Sequence, residues 1–257
     1  MRRRVLVIGI GAGDPDYVTV QAVKAMNRVS VFLVPDKGAE KSGLARLRRE
    51  ICARHIAGEG HRFVSFEVPA RERDATNYEA AVEAWRSAVR AVYERLLREE
   101  AAEGEVAGVL VWGDPSLYDG TLSILDGIRM SGEIDLEIEV VPGISSVQAL
   151  AARHGTTLNR IGDSITITTG RRLEQGFPDE ADSVVVMLDA RSAYQGLDGD
   201  IDIFWGAYVG TGDEILVAGK LRDVRDEIAR VRAAAKEKHG WVMDTYLLAR
   251  DRRRGGA

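Results

Sequence analysis

Glycines alternate with other residues directly after the first apolar run of the chain, in the stretch VLVIGIGAGDPDYVTV at residues 5–20. Glycines in such a place let the backbone turn tightly and approach a ligand closely, as in the G-x-G-x-x-G loop that cradles dinucleotide phosphates. Gly9 and Gly11 fit that spacing, but Asp14 stands where the third glycine belongs, and its carboxylate would repel a pyrophosphate. The stretch therefore matches a dinucleotide-binding loop only in part.

Two further features bear on that choice. Pro15 and the residues after it separate the glycines from Thr19, the predicted helix N-cap, so the helix begins too late to direct its dipole at a phosphate. Asp36 lies at the end of the second apolar run, where a ribose-binding carboxylate is expected, although a surface turn, PDKG, explains it as well. An NAD-dependent oxidoreductase therefore stays open as an alternative.

The triplet Gly-Asp-Pro occurs again at Gly113–Pro115, directly after another apolar run. A third run ends in the turn VPGISS, residues 141–146, where Ser145 or Ser146 is predicted to cap the next helix. In an open α/β sheet, ligands bind outside the carboxyl ends of the strands, so these loops could converge on one crevice. Each loop alone could equally be a strand terminator, and it is the convergence that favours a binding site.

The elements that must hold these loops change in character along the chain. In the first half, buried strands at residues 5–10, 29–34, 62–68, 106–112 and 136–141 are separated by predicted helices, including 44–56 and 76–103. In the second half five apolar runs lie close together with one long helix, 222–238, which predicts a mixed sheet. We expect an N-terminal α/β domain at 1–118 and a C-terminal mixed α/β domain at 119–257.

Composition excludes several classes of protein. The formal net charge of −5 over 257 residues argues against a general nucleic-acid binder, which needs a positive face. Cys52 is the only cysteine, and on a predicted helix face it is expected to be a buried, inert thiol. With no apolar run of membrane-spanning length and four scattered histidines, we expect no membrane span, no metal site and a cytoplasmic location.

Taken together, the motifs resemble those of the tetrapyrrole methylase family. GIGAGDPDYVT is similar to the family's opening glycine loop, WGDPSLYDG to its G-D-P loop, and VVPGISSVQALAA to its V-P-G turn and helix. SVVVML and ILVAGKLRDV are similar to two later family segments. The resemblance implies a two-domain fold that binds S-adenosylmethionine and a tetrapyrrole in the crevice between the domains, and it implies a homodimer.

The resemblance also assigns cofactor-binding roles to particular positions. Several would act by packing or through the backbone: Ala12, Trp112, Gly113, Leu117, Met187, Tyr208 and Val209. Others would act through polar side chains: Asp114, Ser145 and Ser146. Many relatives have glycine where Trp112 stands, so its indole is expected to point elsewhere, into the core.

The corrin branch of the family is more similar to this chain than the sirohaem branch. That likeness implies methylation of carbon 1 of precorrin-5 with release of acetate. Because a precorrin carries several carboxylates, Lys37, Arg171 and Arg172 are candidate substrate contacts, although they could equally be solvated surface charges. Tyr118 is a further candidate substrate contact. Asp36, one position away from a catalytic aspartate of the sirohaem branch, is the candidate catalytic residue, and either Asp36 or Tyr118 is a candidate for activating the water that removes the acyl group.

Overall fold

The computed structural model describes residues 2–36, 42–70 and 78–250. The chain divides into two compact units, the first comprising residues up to Gly11 together with Pro15–Ile144, and the second comprising Ala12–Asp14 and the chain from Ser145 onward. This division falls later in the sequence than the boundary expected after Tyr118. The reason is that the last strand before Ser145 pairs with the first strand of the chain, as described below.

The first unit is a parallel sheet of five strands in the order β3-β2-β4-β1-β5. Its elements are β1 (Arg2–Gly9), α1 (Val20–Met26), β2 (Val31–Asp36), α2 (Ser42–His55), β3 (Arg62–Glu67), α3 (Tyr78–Glu99), β4 (Val106–Val111), α4 (Thr121–Ser131) and β5 (Asp135–Val141). A short 3-10 turn, Pro15–Tyr17, lies between β1 and α1.

The central strands of this sheet, β2, β4 and β1, are largely buried on both faces, which explains their continuous apolar runs. Along β1, Val5 and Val7 pack into one core with α3 and α4, whereas Leu6 and Ile8 pack into a second core with α1 and α2. Cys52 belongs to the second core and is buried, as predicted. The three-layer α/β arrangement follows directly from this alternation.

Two features of the first unit were not predicted. Helix α4 lies where the second domain was expected to begin, and it buries Leu125 and Ile128. Strand β1 begins at Arg2 rather than Val5, because its backbone ladder with β5 already starts at Arg2, opposite Asp135. Arg2 and Arg4 also form exposed ion pairs with Glu137 across this ladder. With β5 paired in parallel to β1, α4 and β5 belong to the first unit.

The second unit is a mixed sheet of five strands in the order β6-β7-β10-β8-β9. Its elements are α5 (Ser146–Arg153), β6 (Ile165–Thr169), α6 (Gly170–Leu173), β7 (Ser183–Met187), β8 (Asp202–Ala207), β9 (Ile215–Lys220), α7 (Leu221–His239) and β10 (Asp244–Ala249). Only β6 and β7 are parallel; the other neighbouring pairs are antiparallel. The predicted mixed sheet and the predicted single long helix are both confirmed.

Among the described residues, the helices are either too short or too polar to cross a bilayer.

Candidate functional site

Three glycines pack backbone to backbone at the carboxyl ends of β1, β4 and β5. A Cβ atom on Gly143 would lie within 3 Å of the Gly113 carbonyl oxygen and 2.9 Å from the Cα of Gly9. Side chains would therefore push the three loops apart, and glycine is required by close approach. The convergence of loops expected from the sequence is present for these three strands.

Backbone hydrogen bonds join the first two loops. Gly11 and Gly113 form an isolated antiparallel bridge, with the Gly113 N–H donating to the Gly11 carbonyl at 2.8 Å. The Ile10 N–H donates to the Val111 carbonyl at 2.9 Å. This pairing holds the first glycine loop against the WGDP loop. In a dinucleotide site the glycine loop instead leads directly into the N-terminus of a helix, which faces the pyrophosphate.

The Asp114 carboxylate ties the WGDP loop to the VPGISS turn. It accepts hydrogen bonds from the Ser116 N–H at 2.8 Å, from the Ser116 hydroxyl, and from the Gly143 N–H at 2.9 Å. Partial burial by itself would raise the pKa of Asp114, but these hydrogen bonds outweigh it and lower the pKa below its ordinary value. Asp114 is thus an ionised carboxylate that organises two of the predicted cofactor loops.

Trp112 points into the core, as expected. Its indole packs on the cluster formed with α1 and α2, and the guanidinium of Arg48 lies over the ring at 5.3 Å from its centroid. Its predicted contact with the cofactor can therefore involve only its backbone. Arg48 was missed by the sequence reasoning, although its position three and four residues before Ile51 and Cys52 places it on the buried face of α2.

Three of the four non-glycine residues with left-handed backbone in the described part of the chain lie in or next to the predicted site segments. Tyr118 (φ 53°), Leu188 (φ 55°) and Tyr208 (φ 50°) follow or belong to motifs assigned to the cofactor. Such a conformation is uncommon for a bulky residue and is typically held by its surroundings at functional sites. Leu188 is also 67% exposed, which is unusual for leucine and adds it to the residues that the sequence did not single out.

The candidate catalytic and substrate residues of the first unit lie at the same end of the sheet or outside the described residues. Asp36 is exposed at the carboxyl end of β2, opposite Glu67 in the register with β3. Leu117 is half-buried in the turn closed by Asp114, and Tyr118 is 46% exposed. Lys37 lies outside the described residues.

In the second unit, the predicted positions lie at one end of the strands of the mixed sheet. The register aligns Thr169, at the end of β6, with Met187, at the end of β7, and aligns Met187 with Thr245 near the start of β10. Thr245 in turn faces Gly206, next to the end of β8. Because of this alignment, the half-buried Met187 lies at the same end of the strands as the residues that follow β6 and β8.

Further predicted positions lie in the loops and the short helix that follow the strands at this end of the sheet. Arg171 and Arg172 lie on α6, directly after β6, and both are exposed. Tyr208 is buried: its ring packs on Trp241, and its hydroxyl donates to the Trp241 carbonyl. The side chain of Tyr208 is therefore structural. Its backbone N–H donates to the Met243 carbonyl at 2.9 Å, and its carbonyl accepts from the Thr211 N–H and hydroxyl, so a backbone hydrogen bond to a cofactor has to replace one of these.

The two serines of the VPGISS turn have different tasks. Ser145 is the N-cap of α5, where its hydroxyl oxygen accepts from the Val147 N–H at 3.1 Å while the hydroxyl donates to the Gln148 side chain. This confirms that a serine of the turn caps the helix. Ser146 shares a hydrogen bond with the Thr245 hydroxyl at 3.2 Å. To donate a hydrogen bond to a cofactor, the Ser145 hydroxyl has to release the Gln148 side chain. The Ser146 hydroxyl has to release only the Thr245 hydroxyl.

The tripeptide Ala12–Asp14 belongs to the second unit. A Cβ atom on Gly13 would lie 2.7 Å from a methyl carbon of Thr211 and 2.8 Å from the Val209 carbonyl oxygen, so the backbone of the glycine loop packs directly on the loop after β8. Ala12 is buried. Two segments predicted to touch the cofactor, one from each end of the chain, are thereby brought together.

A buried polar network fixes the loop that follows Met187. The Asp189 carboxylate accepts from the Tyr246 hydroxyl at 2.7 Å and from the backbone of the loop that it begins, while its carbonyl accepts from Arg232 at 2.9 Å. Arg232 also pairs with buried Asp244 at 2.8 Å. Sequence reasoning missed Asp189, and its place directly after the SVVVML strand was the available signal.

Within the described residues, no group of three or more histidine, cysteine, aspartate or glutamate side chains is placed to hold a metal ion.

Comparisons of the sequence with known proteins indicate one family. The family profile named Tetrapyrrole (Corrin/Porphyrin) Methylases matches residues 4–225. A precorrin-6A synthase [deacetylating] from Sinorhizobium sp. is 45% identical over 247 residues, which cover 96% of this chain and 95% of the relative. A Methanocaldococcus jannaschii protein described as a probable cobalt-precorrin-2 C(20)-methyltransferase is 28% identical over 72% of each chain.

Solved structures lead to the same family. A cobalamin synthesis related protein, CobF, from Corynebacterium diphtheriae superposes with a TM-score of 0.83 at 34% identity, covering 97% of this chain and 99% of that one. A uroporphyrin-III C-methyltransferase from Thermus thermophilus, solved with S-adenosylhomocysteine, shares the fold at a TM-score of 0.56 and 18% identity, covering 96% of this chain and 92% of that one.

The alternative of an NAD-dependent oxidoreductase gains no support from these similarities, and the strand order of the first sheet is not the 3-2-1-4-5-6 order of dinucleotide-binding folds. The likenesses to the precorrin-6A synthase and to CobF each span nearly the whole chain and both units. The chain belongs to the tetrapyrrole (corrin/porphyrin) methylase family.

Proposed function

We propose that this protein is an S-adenosylmethionine-dependent C-methyltransferase of corrin biosynthesis, which methylates carbon 1 of precorrin-5 and releases acetate to give precorrin-6A. The observation that carries the proposal is the 45% identity to a precorrin-6A synthase [deacetylating] over 96% of this chain. An alignment of that length includes residues of both units.

The residues at the predicted cofactor positions suit the parts of S-adenosylmethionine. The ionised Asp114 carboxylate and the Ser146 hydroxyl are groups that pair with an ammonium or sulfonium and with a carboxylate. Met187 and Ala12 offer apolar surface to an adenine, and the backbone of Val209 offers hydrogen-bonding groups to its edge. The cofactor, when bound, supplies an electrophilic methyl group.

The protein's part in methyl transfer is positioning. An in-line displacement needs the two carbon atoms held close together and water kept away, and it needs no activated serine or cysteine. The glycine packing of Gly9, Gly113 and Gly143 fixes the loop backbones for that purpose. Burial raises the pKa of the Cys52 thiol to about 11, so this side chain is unsuited to act as a nucleophile.

Binding of the substrate's carboxylates requires positive charge, and deacetylation requires a group that accepts a proton from water. Arg171, Arg172 and Lys37 are proposed to bind carboxylates of the precorrin. Partial burial raises the pKa of Tyr118, so at neutral pH its phenol is protonated and serves as a hydrogen-bond donor rather than a base. Asp36 is then the better candidate for accepting a proton from the water that attacks the acyl carbon. We further propose a cytoplasmic homodimer.

Incubation with precorrin-5 and methyl-labelled S-adenosylmethionine tests the function. We expect one added methyl group by mass spectrometry together with one equivalent of free acetate. Methylated product without acetate would reject the deacetylating reaction. Calorimetry provides the second test: tight binding of NADH with no binding of S-adenosylhomocysteine would reject the methyltransferase altogether.

Replacing Asp36 is expected to affect turnover rather than cofactor binding. Asp36→Asn keeps the size and polarity of the side chain but cannot accept a proton, so we expect kcat to fall by about 10²-fold or more. The dissociation constant of S-adenosylhomocysteine should stay within about twofold. The matched control is Glu67→Gln, which neutralises the carboxylate opposite Asp36 in the neighbouring strand and should leave kcat unchanged. Wild-type kcat in Asp36→Asn would return Asp36 to the role of a turn residue.

A further inference from the structure

A cavity of about 370 Å³ lies within the first unit, between α2 and the strands β2, β3 and β4. Its walls are mainly apolar and aromatic: Val34, Ile56 and Leu110 contribute aliphatic surface, and His61 and Phe63 contribute rings. Phe63 stacks on the buried Phe32 with ring centroids 5.0 Å apart. The volume lies in the range of sites for small organic molecules rather than of packing defects.

Two arginines of α2, Arg49 and Arg48, line this cavity. Arg49 is exposed to solvent, whereas the second, Arg48, is partly buried. Its guanidinium stacks over Trp112, and its Nε atom is buried with no hydrogen-bond partner. Burial lowers the pKa of Arg48, so its charge is held at a cost in free energy. In the part of the chain that the structure describes, no carboxylate forms an ion pair with it.

The titratable groups near Arg48 do not offset its charge. Burial raises the pKa of Cys52 to about 11 and raises the pKa of Tyr93 still further, so both are neutral at physiological pH. Asp119 is exposed and acts on Arg48 only through the long-range field. A buried arginine that faces an apolar cavity and lacks a contacting anion is stabilised by a ligand that brings one.

We propose that the cavity is a subsite for one pyrrole-type ring of the substrate, with Arg48 pairing with a carboxylate of that ring's side chains. The proposal rests on the proposed function for the identity of the ligand. A single five-membered ring with acid side chains matches the cavity in both size and chemistry, since the ring packs on His61 and Phe63 and the acid meets the guanidinium. The shared chemistry, a carboxylate, could also come from the released acetate, and the test separates these two sources.

Binding of porphobilinogen, a single pyrrole with one acetate and one propionate side chain, tests the subsite directly. Arg48 lies against Trp112, so binding should change the tryptophan fluorescence, and Trp112→Phe should remove that signal. We expect Arg48→Gln to weaken binding by roughly tenfold to a hundredfold, because a charge-assisted pair is lost. Arg46→Gln, an exposed arginine on the same helix, should bind as the wild type does.

A second variant keeps the test decisive if Arg48→Gln does not fold. Ala53→Phe places a ring in the cavity from the exposed side of α2 without altering Arg48, and it should also weaken binding at least tenfold. Equal binding by wild type and both variants would overturn the subsite, as would equal binding of the uncharged dimethyl ester. Acetate that binds as tightly as porphobilinogen would overturn the ring in favour of the released acid.

The outcome is independent of the assay for the reaction. Porphobilinogen binding that depends on Arg48, in a protein that makes no methylated product from precorrin-5, would uphold the subsite and reject the proposed function. Full conversion of precorrin-5 by Arg48→Gln, with unchanged KM, would reject the subsite and leave the function in place.

Discussion

Asp114→Ala is expected to weaken binding of S-adenosylhomocysteine by about a hundredfold or more while both units stay folded. The substitution removes an ionised carboxylate and with it the hydrogen bond that joins the WGDP loop to the Gly143 N–H. Hydrogen bonds to a charged group contribute about 1.5–3 kcal/mol each, so losing even one of the three is a large effect. Titration calorimetry measures the affinity, and circular dichroism follows the fold.

The control for this prediction is an aspartate of the same unit with a different setting. Asp126 lies on the surface of α4 in an ion pair with Arg129, and Asp126→Ala should leave the affinity unchanged. Because hydrogen bonding lowers the pKa of Asp114, its stabilising effect is fully present at neutral pH and is lost only as pH falls through that lowered pKa. Unchanged affinity in Asp114→Ala would remove Asp114 from the binding site.

Gly143→Ala is expected to destabilise the first unit by roughly 3 kcal/mol, since overpacking against rigid backbone has few ways to relax. The new methyl group would meet the Gly113 carbonyl and the backbone of Gly9, not a flexible side chain. Cofactor affinity should fall as well, because the loops that carry the predicted cofactor positions must separate to make room for the new methyl group. Urea denaturation measures the loss of stability.

Gly120→Ala is the matched control. Gly120 has an ordinary φ of −94°, and a methyl group there would meet no atom within 4 Å. Its free energy of unfolding should stay within about 0.5 kcal/mol of the wild type. If the two alanine variants were equally stable, the three-glycine packing would not be a constraint on the fold.

The sequence was a good guide wherever local chemistry decides the structure. Thr19 caps α1, and its hydroxyl oxygen accepts from the Ala22 N–H at 3.0 Å. A threonine directly before a helix is a local signal, because its hydroxyl binds a backbone N–H that has no partner within the helix. The parallel strands were readable since both faces of the sheet are covered. Strands 183–187 and 202–207 were equally clear from their apolar runs.

Other features lack a local signal or depend on partners that are distant in sequence. Helix α4 begins at Thr121 with Gly120 at its N-cap, and an aspartate before the cap, Asp119, accepts from the Thr121 N–H in place of a capping side chain. Arg3 is 4% exposed, and its Nε donates to the Leu97 carbonyl, which no local pattern announces for a residue within a run of arginines. The boundary expected after Tyr118 precedes α4, a helix whose start carries no side-chain cap.

The candidate site divides in the same way. Motif loops could be located from their glycines, but the distribution of tasks among their side chains could not. Ser145 caps a helix and Tyr208 packs into a core, tasks set by Gln148 and Trp241 respectively. Arg48 and Asp189 have signals in the sequence, a position on the buried face of a helix and a position directly after a strand, but those signals do not reveal the groups that surround each charge.

Residues 12–14 make the second unit dependent on the portion of the chain that is synthesised first. They leave the ribosome early, whereas Val209 and Thr211, on which Gly13 packs, follow only after the whole first unit and half of the second. Closing so long a loop is slow, so this contact is expected to form late in folding. A fragment that starts at Ser145 would lack three residues of its own structure, and the protein cannot be cut at that point into two self-sufficient halves.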